Sequence, residues 1–215
     1  MNEFELNKYF IKIINSTATE QQFTFANMLF EGEDVEKNDA YALQLYERAA
    51  SLGHADAMNN AADMYLNGEG TARQYDKALY WFEQAAAHDV PEAMFTLGMM
   101  YETALGVDVD EARALHYYKQ AAALHDVEAI YRLGMVHYEG LLGQPINEQK
   151  ARERFLIAAQ FEHIDALFNC GYFYEYGIGG EQQLQKALKY YDVAANFGDD
   201  EAKIRAAHVR QELDL

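Results

Sequence analysis

The side chains of this 215-residue chain that most often perform catalysis or bind metal ions are seven histidines, one cysteine and 35 acidic residues. Four of the histidines recur at long intervals in similar sequence surroundings, namely His54, His88, His125 and His163. Metal-binding histidines must meet around one ion, and residues this far apart do so only in a special fold. We therefore predict that these four histidines cap the ends of helices.

Two further features could be taken for chemistry. The stretch Gly177-Ile178-Gly179-Gly180 is as glycine-rich as a phosphate-binding loop, but no strand precedes it and no Lys-Ser or Lys-Thr follows, so a turn between helices is predicted. Cys170 stands at a position that is apolar in related stretches, which predicts a buried, unreactive thiol. No Ser/His/Asp, Cys/His or HExxH arrangement stands out. The sequence predicts no enzyme, cofactor or metal site, with a hydrolase that uses paired carboxylates as the catalytic alternative.

The charge balance restricts the kinds of partner that the chain could bind. It has 35 acidic and 17 basic residues, which give a net charge of −18. Phosphates repel such a protein, so nucleic acid and anionic membranes are excluded as partners and a basic protein or peptide is favoured. The first residues do not resemble a signal peptide, no apolar run is long enough to span a membrane, and a single cysteine suits a reducing compartment. A cytoplasmic protein is therefore predicted.

A repeat of 36 or 37 residues organises the chain. Ala-Ala pairs mark it at Ala49-Ala50, Ala85-Ala86, Ala121-Ala122, Ala158-Ala159 and Ala194-Ala195. An aromatic residue precedes each pair at a constant distance, in the order Tyr46, Phe82, Tyr118, Phe155 and Tyr191. Residue types kept in register over five copies indicate tandem structural repeats.

Small residues mark the other helix of each repeat, at Ala26, Ala62, Gly98, Gly134 and Gly171. A further one, Ala207, follows near the C-terminus. Small side chains let two helices approach closely, and the large aromatic fills the space beside them. Glycine stands six residues further on at Gly32, Gly68, Gly140 and Gly177, where it suits the left-handed end of a helix. The third repeat has Ala104 there and Gly106 two residues later, so its turn is expected to differ slightly.

The register divides the chain into five helix pairs with one more helix at each end. The repeats span residues 19–54, 55–90, 91–127, 128–164 and 165–200, and each has an inner helix followed by an outer helix. Residues 201–215 match the beginning of an inner helix and are predicted to cap the C-terminal end. Leu6, Phe10, Ile13 and Ile14 have helical spacing and align with an outer helix, so residues 1–18 are predicted to form an N-terminal capping helix.

The pattern Ala-x-x-x-Leu-Gly-x-x-Tyr, followed by Lys/Arg-Ala and then Ala-Ala, resembles the Sel-one-like repeat, a relative of the tetratricopeptide repeat. The best copies begin at Ala93, with Leu97-Gly98, Tyr101 and Arg113-Ala114, and at Ala129, with Leu133-Gly134 and Lys150-Ala151. The resemblance covers residues 19–207 and implies an all-α, right-handed α-solenoid whose inner helices line a concave groove. The family consists mainly of adaptors and scaffolds, which implies a role in protein–protein interaction.

Three positions of each inner helix are predicted to face this groove and contact the partner. With the C-terminal helix, they give Phe23, Asn27, Phe30, Asn59, Asp63, Leu66, Phe95, Met99, Glu102, Tyr131, Met135, Tyr138, Phe168, Tyr172, Glu175 and His208. A mixture of aromatic, methionine and acidic residues is typical of a recognition surface. The alternative is that some of these aromatics belong to the core.

Charge is divided unevenly between the two kinds of helix. The inner helices of the five repeats carry ten acidic residues against Arg132 alone, whereas basic residues are concentrated on the outer helices. The helix dipole explains the acids in first turns, but it does not explain Asp63, Glu102 or Glu175. We predict a monomer or weak homo-oligomer that binds a basic protein in an acidic, aromatic-lined groove, either as an adaptor or as an immunity protein for a basic toxin or effector. A self-associating structural scaffold is the other alternative.

Overall fold

The computed structural model of the protein describes residues 3–214, and these form twelve α-helices and no β-strand. Within this range no helix is long and apolar enough to cross a membrane. In chain order the helices are α1 (Glu3–Ile14), α2 (Thr19–Glu31), α3 (Asp39–Ser51), α4 (Ala55–Asn67), α5 (Tyr75–Ala86), α6 (Pro91–Thr103), α7 (Glu111–Ala123), α8 (Val127–Glu139), α9 (Glu148–Gln160), α10 (Ile164–Tyr176), α11 (Leu184–Asn196) and α12 (Asp200–Glu212).

Two compact units make up the chain, Met1–Val109 and Asp110–Leu215. In the first unit each helix from α2 to α5 packs against the helix that follows it, and α1 packs against α2 and α3. In the second unit each helix from α7 to α11 packs against the helix that follows it. The prediction of an all-α chain of helix–turn–helix repeats, of the α-solenoid class, is confirmed.

The repeated small and aromatic residues form the core of each unit, as the register predicts. The outer-helix aromatics, from Tyr46 to Tyr191, are almost completely buried. A Cβ atom added at Gly134 would lie 2.6 Å from the ring of Phe155, and one added at Gly171 would lie 2.6 Å from the ring of Tyr191. The absent side chain therefore makes room for the aromatic ring of the outer helix.

Left-handed residues end the inner helices of all five repeats, at Gly32, Gly68, Ala104, Gly140 and Gly177. The difference expected in the third repeat is absent, because Ala104 itself adopts this conformation, with φ 58° and ψ 34°. An alanine in this region costs about 1 kcal/mol relative to right-handed backbone. The loop that follows packs closely on α5, since a Cβ atom at Gly106 would lie 2.3 Å from the Tyr75 Cβ atom.

Two of the four inter-repeat histidines cap the N-terminal ends of inner helices, in agreement with the capping prediction. Nδ1 of His54 accepts a hydrogen bond from the Ala57 N–H at 3.3 Å, and Nδ1 of His163 accepts one from the Ala166 N–H at 3.2 Å. These bonds satisfy one of the free N–H groups at the beginning of α4 and of α10.

His88 caps the opposite end of a helix, because its Nδ1 atom donates a hydrogen bond to the Gln84 carbonyl oxygen at 2.9 Å in the last turn of α5. The capping prediction is wrong for His125. The N-cap of an inner helix lies five residues after the first alanine of the Ala-Ala pair, and Val90 and Asp126 occupy that position in these repeats. His88 and His125 come one or two residues earlier and lie in the turn instead.

The N-terminal helix α1 is held by a buried amide. Gln22 on α2 is completely buried, and its Nε2 atom donates to the carbonyl oxygens of Ile13, Ile14 and Ser16 at 3.2, 3.3 and 2.9 Å. The last carbonyl groups of a helix have no i+4 donor within the helix, and the Gln22 amide supplies a donor to those at the end of α1. Gln22 therefore fixes the end of α1 against α2.

Candidate functional site

A cavity of about 420 Å³ opens among α2, α3 and α4 of the first unit. Three carboxylates, three asparagines, a phenol and two apolar side chains line it, namely Asn27, Phe30, Glu31, Tyr46, Asn60, Asp63, Met64, Asn67 and Glu69. Apolar walls can cover the stem of a long side chain while the polar groups receive its charged end. We refer to this feature as the Asp63 cavity.

Helical spacing explains how α2 and α4 each present several groups to the Asp63 cavity. Asn60, Asp63 and Asn67 are three or four residues apart, so they share one face of α4, and Glu69 follows in the loop. The same spacing brings the three α2 residues of the cavity onto one face of that helix.

The Tyr46 hydroxyl links α3 to α2 at the Asp63 cavity. It donates a hydrogen bond to the Asn27 Oδ1 atom at 2.6 Å. Burial raises the pKa of Tyr46 to about 12, although a hydrogen bond with Asn60 opposes the shift. Tyr46 therefore stays neutral at physiological pH and fixes the Asn27 amide in one orientation.

Asp63 is the electrostatic centre of the cavity. Its Oδ2 atom accepts a hydrogen bond from the Asn59 Nδ2 atom at 3.1 Å. Burial and the negative charge of Glu69 raise the pKa of Asp63 to about 6, and the Asn59 hydrogen bond offsets only part of this shift. Within residues 3–214, no lysine, arginine or histidine forms an ion pair with Asp63. The cavity thus holds a carboxylate that forms no ion pair with a basic group among the described residues.

Glu175 in the second unit has the opposite surroundings. It is 3 % exposed, and its Oε2 atom accepts a hydrogen bond from the Tyr191 hydroxyl at 2.6 Å. The Arg205 Nη1 atom lies 3.7 Å from its Oε1 atom, and the His208 Nδ1 atom lies 3.9 Å away. Burial, with a smaller effect of Glu175, raises the pKa of Tyr191, so the hydroxyl remains a donor. Glu175 is therefore satisfied within the chain.

The Asp63 cavity brings together three of the predicted groove residues of the first unit, Asn27, Phe30 and Asp63. Two others lie next to it in the fold, because Asn59 is bonded to Asp63 and the Phe23 ring lies against the ring of Tyr46 with centroids 5.9 Å apart. Of the remaining four, Phe95, Met99 and Glu102 lie on α6, are half-buried and do not line the cavity, and Leu66 is buried on α4.

In the second unit, the predicted groove aromatics belong partly to the core. Five half-buried side chains pack against the buried cluster of this unit, namely Tyr131, Met135, Tyr138, Phe168 and Tyr172. These side chains therefore belong partly to the core and partly to the surface that a partner could contact, because one part of each is packed and another is accessible. His208 is exposed, as a binding residue must be.

For Leu66 and Glu175, the prediction that the groove residues are exposed to a partner is wrong. Both are buried, with 9 % and 3 % of their surface accessible. Both lie at the third groove position, near the end of an inner helix, and Glu175 accepts a hydrogen bond there from the Tyr191 hydroxyl of the outer helix.

Sequence reasoning missed five residues of the Asp63 cavity, namely Tyr46, Asn60, Met64, Asn67 and Glu69, and it counted Glu31 only as one of the inner-helix acids. One available signal lies at the outer-helix aromatic position, where some repeats have tyrosine and others phenylalanine. A buried hydroxyl requires a polar partner, and Tyr46 and Tyr191 find theirs at Asn27 and Glu175 on inner helices.

Cys170 and the glycine-rich stretch behave as the sequence predicts. Cys170 is buried, and this burial raises its pKa to about 12, so the thiol is neutral and unreactive at physiological pH. The stretch Gly177–Gly180 lies in the connection between α10 and α11. In the part of the chain that the structure describes, no group of three histidine, cysteine or acidic side chains is arranged to hold a metal ion.

Five copies of the Sel1 repeat match the chain, at residues 26–54, 55–90, 91–126, 127–160 and 164–199. The chain therefore belongs to the Sel1 repeat family, whose members generally mediate protein–protein interaction. No curated protein matches it.

Solved structures of the same fold come from several bacteria. A Sel1 repeat protein from Oxalobacter formigenes is 27 % identical with a TM-score of 0.82, and the match covers 86 % of this chain and 76 % of that one. A protective antigen of uropathogenic Escherichia coli that displays an SLR fold is 27 % identical with a TM-score of 0.86, covering 94 % of this chain but 43 % of that one. An immunity protein from Pseudomonas aeruginosa shares the fold at 24 % identity and a TM-score of 0.56, covering 86 % of this chain and 67 % of that one.

Proposed function

We propose that this chain is a non-catalytic binding module that receives a basic group of a protein partner in the Asp63 cavity. The observation that carries the proposal is a half-buried carboxylate, in an open cavity, that pairs with no cation among residues 3–214. A partner that inserts a lysine or arginine would supply the missing charge and would release the proton that Asp63 holds below about pH 6.

Long-range charge would assist this encounter. The protein carries a net charge of −18, and a negative field speeds association with a basic surface. Most of the affinity would come from side chains that become buried, such as Phe30 and Met64 in the cavity wall. The half-buried aromatics Tyr131 and Tyr172 of the second unit would add contact area for the same or another segment of the partner.

The proposal is tested by capture with three baits from a lysate of the native host, namely the wild-type protein, Asp63→Asn and Asp56→Asn. Asp56 is a matched control, because it lies exposed in the first turn of α4 and its substitution removes the same single charge. We expect a basic protein to be retained by the wild type and by the Asp56 variant but lost with the Asp63 variant. Identical sets of retained proteins on all three baits would contradict the proposal.

Inhibition of a basic toxin or effector, in the manner of an immunity protein, is a more specific form of this proposal. It is supported by the negative charge and compact size of the chain and by an acidic cavity shaped to receive a basic group. With the Pseudomonas aeruginosa immunity protein the chain shares the fold. The role would be supported if co-expression protected cells from a toxin encoded beside this protein, and if Asp63→Asn removed the protection. A cytoplasmic location and a monomeric or weakly associating state complete the proposal.

A hydrolase is the second candidate, and the raised pKa of Asp63 favours it. Asp63, with a pKa of about 6, and the nearby carboxyl group of Glu69 form a pair of acids of the kind that general acid–base catalysis uses. We rank it below binding because the lack of a counter-ion explains the same shift. Chromogenic ester, phosphate and glycoside substrates would decide the matter, since turnover by the wild type that is lost in Asp63→Asn would establish catalysis.

A further inference from the structure

We propose that the group received in the Asp63 cavity is the guanidinium of an arginine, a step that rests on the proposed binding function. The cavity offers hydrogen-bond acceptors from several directions together with apolar walls, and this combination matches a planar cation with many donors.

The acceptors come from α2, from α4 and from the loop that follows α4. Glu31 belongs to α2, Asp63 and Asn67 belong to α4, and Glu69 belongs to the loop, so the carboxylates do not form one point of charge. A guanidinium has five N–H donors in a fixed fork and can bond to acceptors on different sides at once, whereas an ammonium has three donors at one atom. Acceptors distributed around a cavity therefore favour arginine.

The Tyr46 network prepares this wall before any ligand binds. The Tyr46 hydroxyl occupies the Asn27 Oδ1 atom and forms a hydrogen bond with Asn60. Because the Tyr46 hydroxyl uses the Asn27 Oδ1 atom, the carboxylates of Glu31, Asp63 and Glu69 supply most of the remaining acceptors of the cavity. A ligand that brings donors alone fits such a wall, and arginine has no acceptor group of its own.

The apolar part of the wall favours a flat and weakly hydrated cation. Phe30 and Met64 line the cavity, and the Phe30 ring already attracts a cation, because the Lys37 Nζ atom lies 4.7 Å from its centroid. A guanidinium stacks on such a surface and loses less hydration than an ammonium does, and its charge is kept on burial because its pKa exceeds 12.

The inference is tested with three blocked pentapeptides that have a single central arginine, lysine or citrulline between glycines. Each is titrated into the full-length protein, and the backbone amide signals around Asp63 are followed by NMR. We expect the arginine peptide to bind about five- to tenfold more tightly than the lysine peptide, and the uncharged citrulline peptide to cause no saturable shift. Asp63→Asn should weaken arginine binding about tenfold, and Asp56→Asn should change it less than twofold.

The outcomes separate this inference from the proposed function. Equal affinities of the arginine and lysine peptides, both lost in Asp63→Asn, would overturn the assignment of arginine and would support a site for basic groups in general. Binding of neither peptide at millimolar concentration, or binding that Asp63→Asn leaves unchanged, would overturn both.

Discussion

Asp63 in the first unit and Glu175 in the second are both carboxylates on inner helices. Asp63 is half-buried and Glu175 is buried. Glu175 has Arg205 at 3.7 Å and a hydroxyl donor at 2.6 Å, whereas Asp63 has one asparagine and a neighbouring acid. One side chain therefore stabilises its unit, and the other carries a charge that a partner can balance. An acidic residue of an inner helix can therefore stabilise the fold or bind a partner, depending on whether a cation of the same unit lies beside it.

The largest expected effect concerns Glu175. Glu175→Ala would leave the buried Tyr191 hydroxyl without its acceptor and Arg205 without its nearest buried carboxylate. Because Arg205 is partly exposed, we expect the free energy of unfolding to fall by about 2–3 kcal/mol. Urea denaturation measures this loss, and a change below about 0.5 kcal/mol, which is the usual size of a surface-mutation effect, would show that Glu175 is not structural.

Asp63→Asn is expected to act in the opposite direction on stability. The folded state raises the pKa of Asp63 from 3.8 to about 6, so it binds the proton more tightly than the unfolded state does. The contribution of this group to stability therefore declines as the pH rises from about 4 to about 6, and the variant lacks that decline. We expect the variant to match the wild type at pH 4 and to be about 1–2 kcal/mol more stable at pH 7. A variant that is less stable at pH 7 would contradict this account.

A lysine placed beside Asp63 should give this carboxylate a cation within its own unit, as Arg205 does for Glu175. Asn67→Lys puts an ammonium four residues after Asp63, at an exposed position at the end of α4. We expect a gain of about 0.5 kcal/mol in stability, because such pairs and a cation in the last turn of a helix are both favourable. Titration calorimetry with the arginine pentapeptide should show weaker binding, since the cavity then contains its own cation. Undiminished binding would indicate that the peptide does not use Asp63.

The smallest expected effect is that of salt, which should weaken binding at Asp63 and leave the stabilising effect of Glu175 nearly unchanged. Debye screening shortens from about 10 Å at 0.1 M salt to about 3 Å at 1 M, so binding of a basic partner at the open Asp63 cavity should weaken several-fold. The stability lost in Glu175→Ala should change little, because a buried pair is screened less. Affinity measured over this range, beside unfolding of the variant in 1 M salt, tests both statements. A salt-insensitive complex would contradict a role for the acidic cavity.

The sequence allows most of the fold to be predicted, because the register records which positions must be small and which must be large. Gly134 and Gly171 have no side chain, since the rings of Phe155 and Tyr191 lie 2.6 Å from where one would begin. The turn at Ala104 is not predicted correctly, because local preference disfavours the left-handed conformation that this alanine adopts, next to a loop that packs closely on α5.

The candidate site could be predicted only in part. Helical spacing identifies Asn27, Phe30 and Asp63, which line the cavity, but it assigns Tyr46 to the core and overlooks the hydroxyl that faces the inner helix. The pairing of Glu175 with Arg205 could not be read from either helix, because it depends on how α12 packs beside α10. Spacing predicts the face of a helix, while tertiary packing decides which charges are balanced.

The most direct test of the central claim is the titration of the Asp63 side-chain carboxyl carbon by NMR, with and without the arginine pentapeptide. In the free protein we predict a pKa of about 6, raised by burial and by Glu69. In the complex the guanidinium should lower it to the ordinary aspartate range of about 4 or below. A pKa in the free protein already near the ordinary value, or one that the peptide does not change, would contradict the claim that Asp63 is held ready for a cation from a partner.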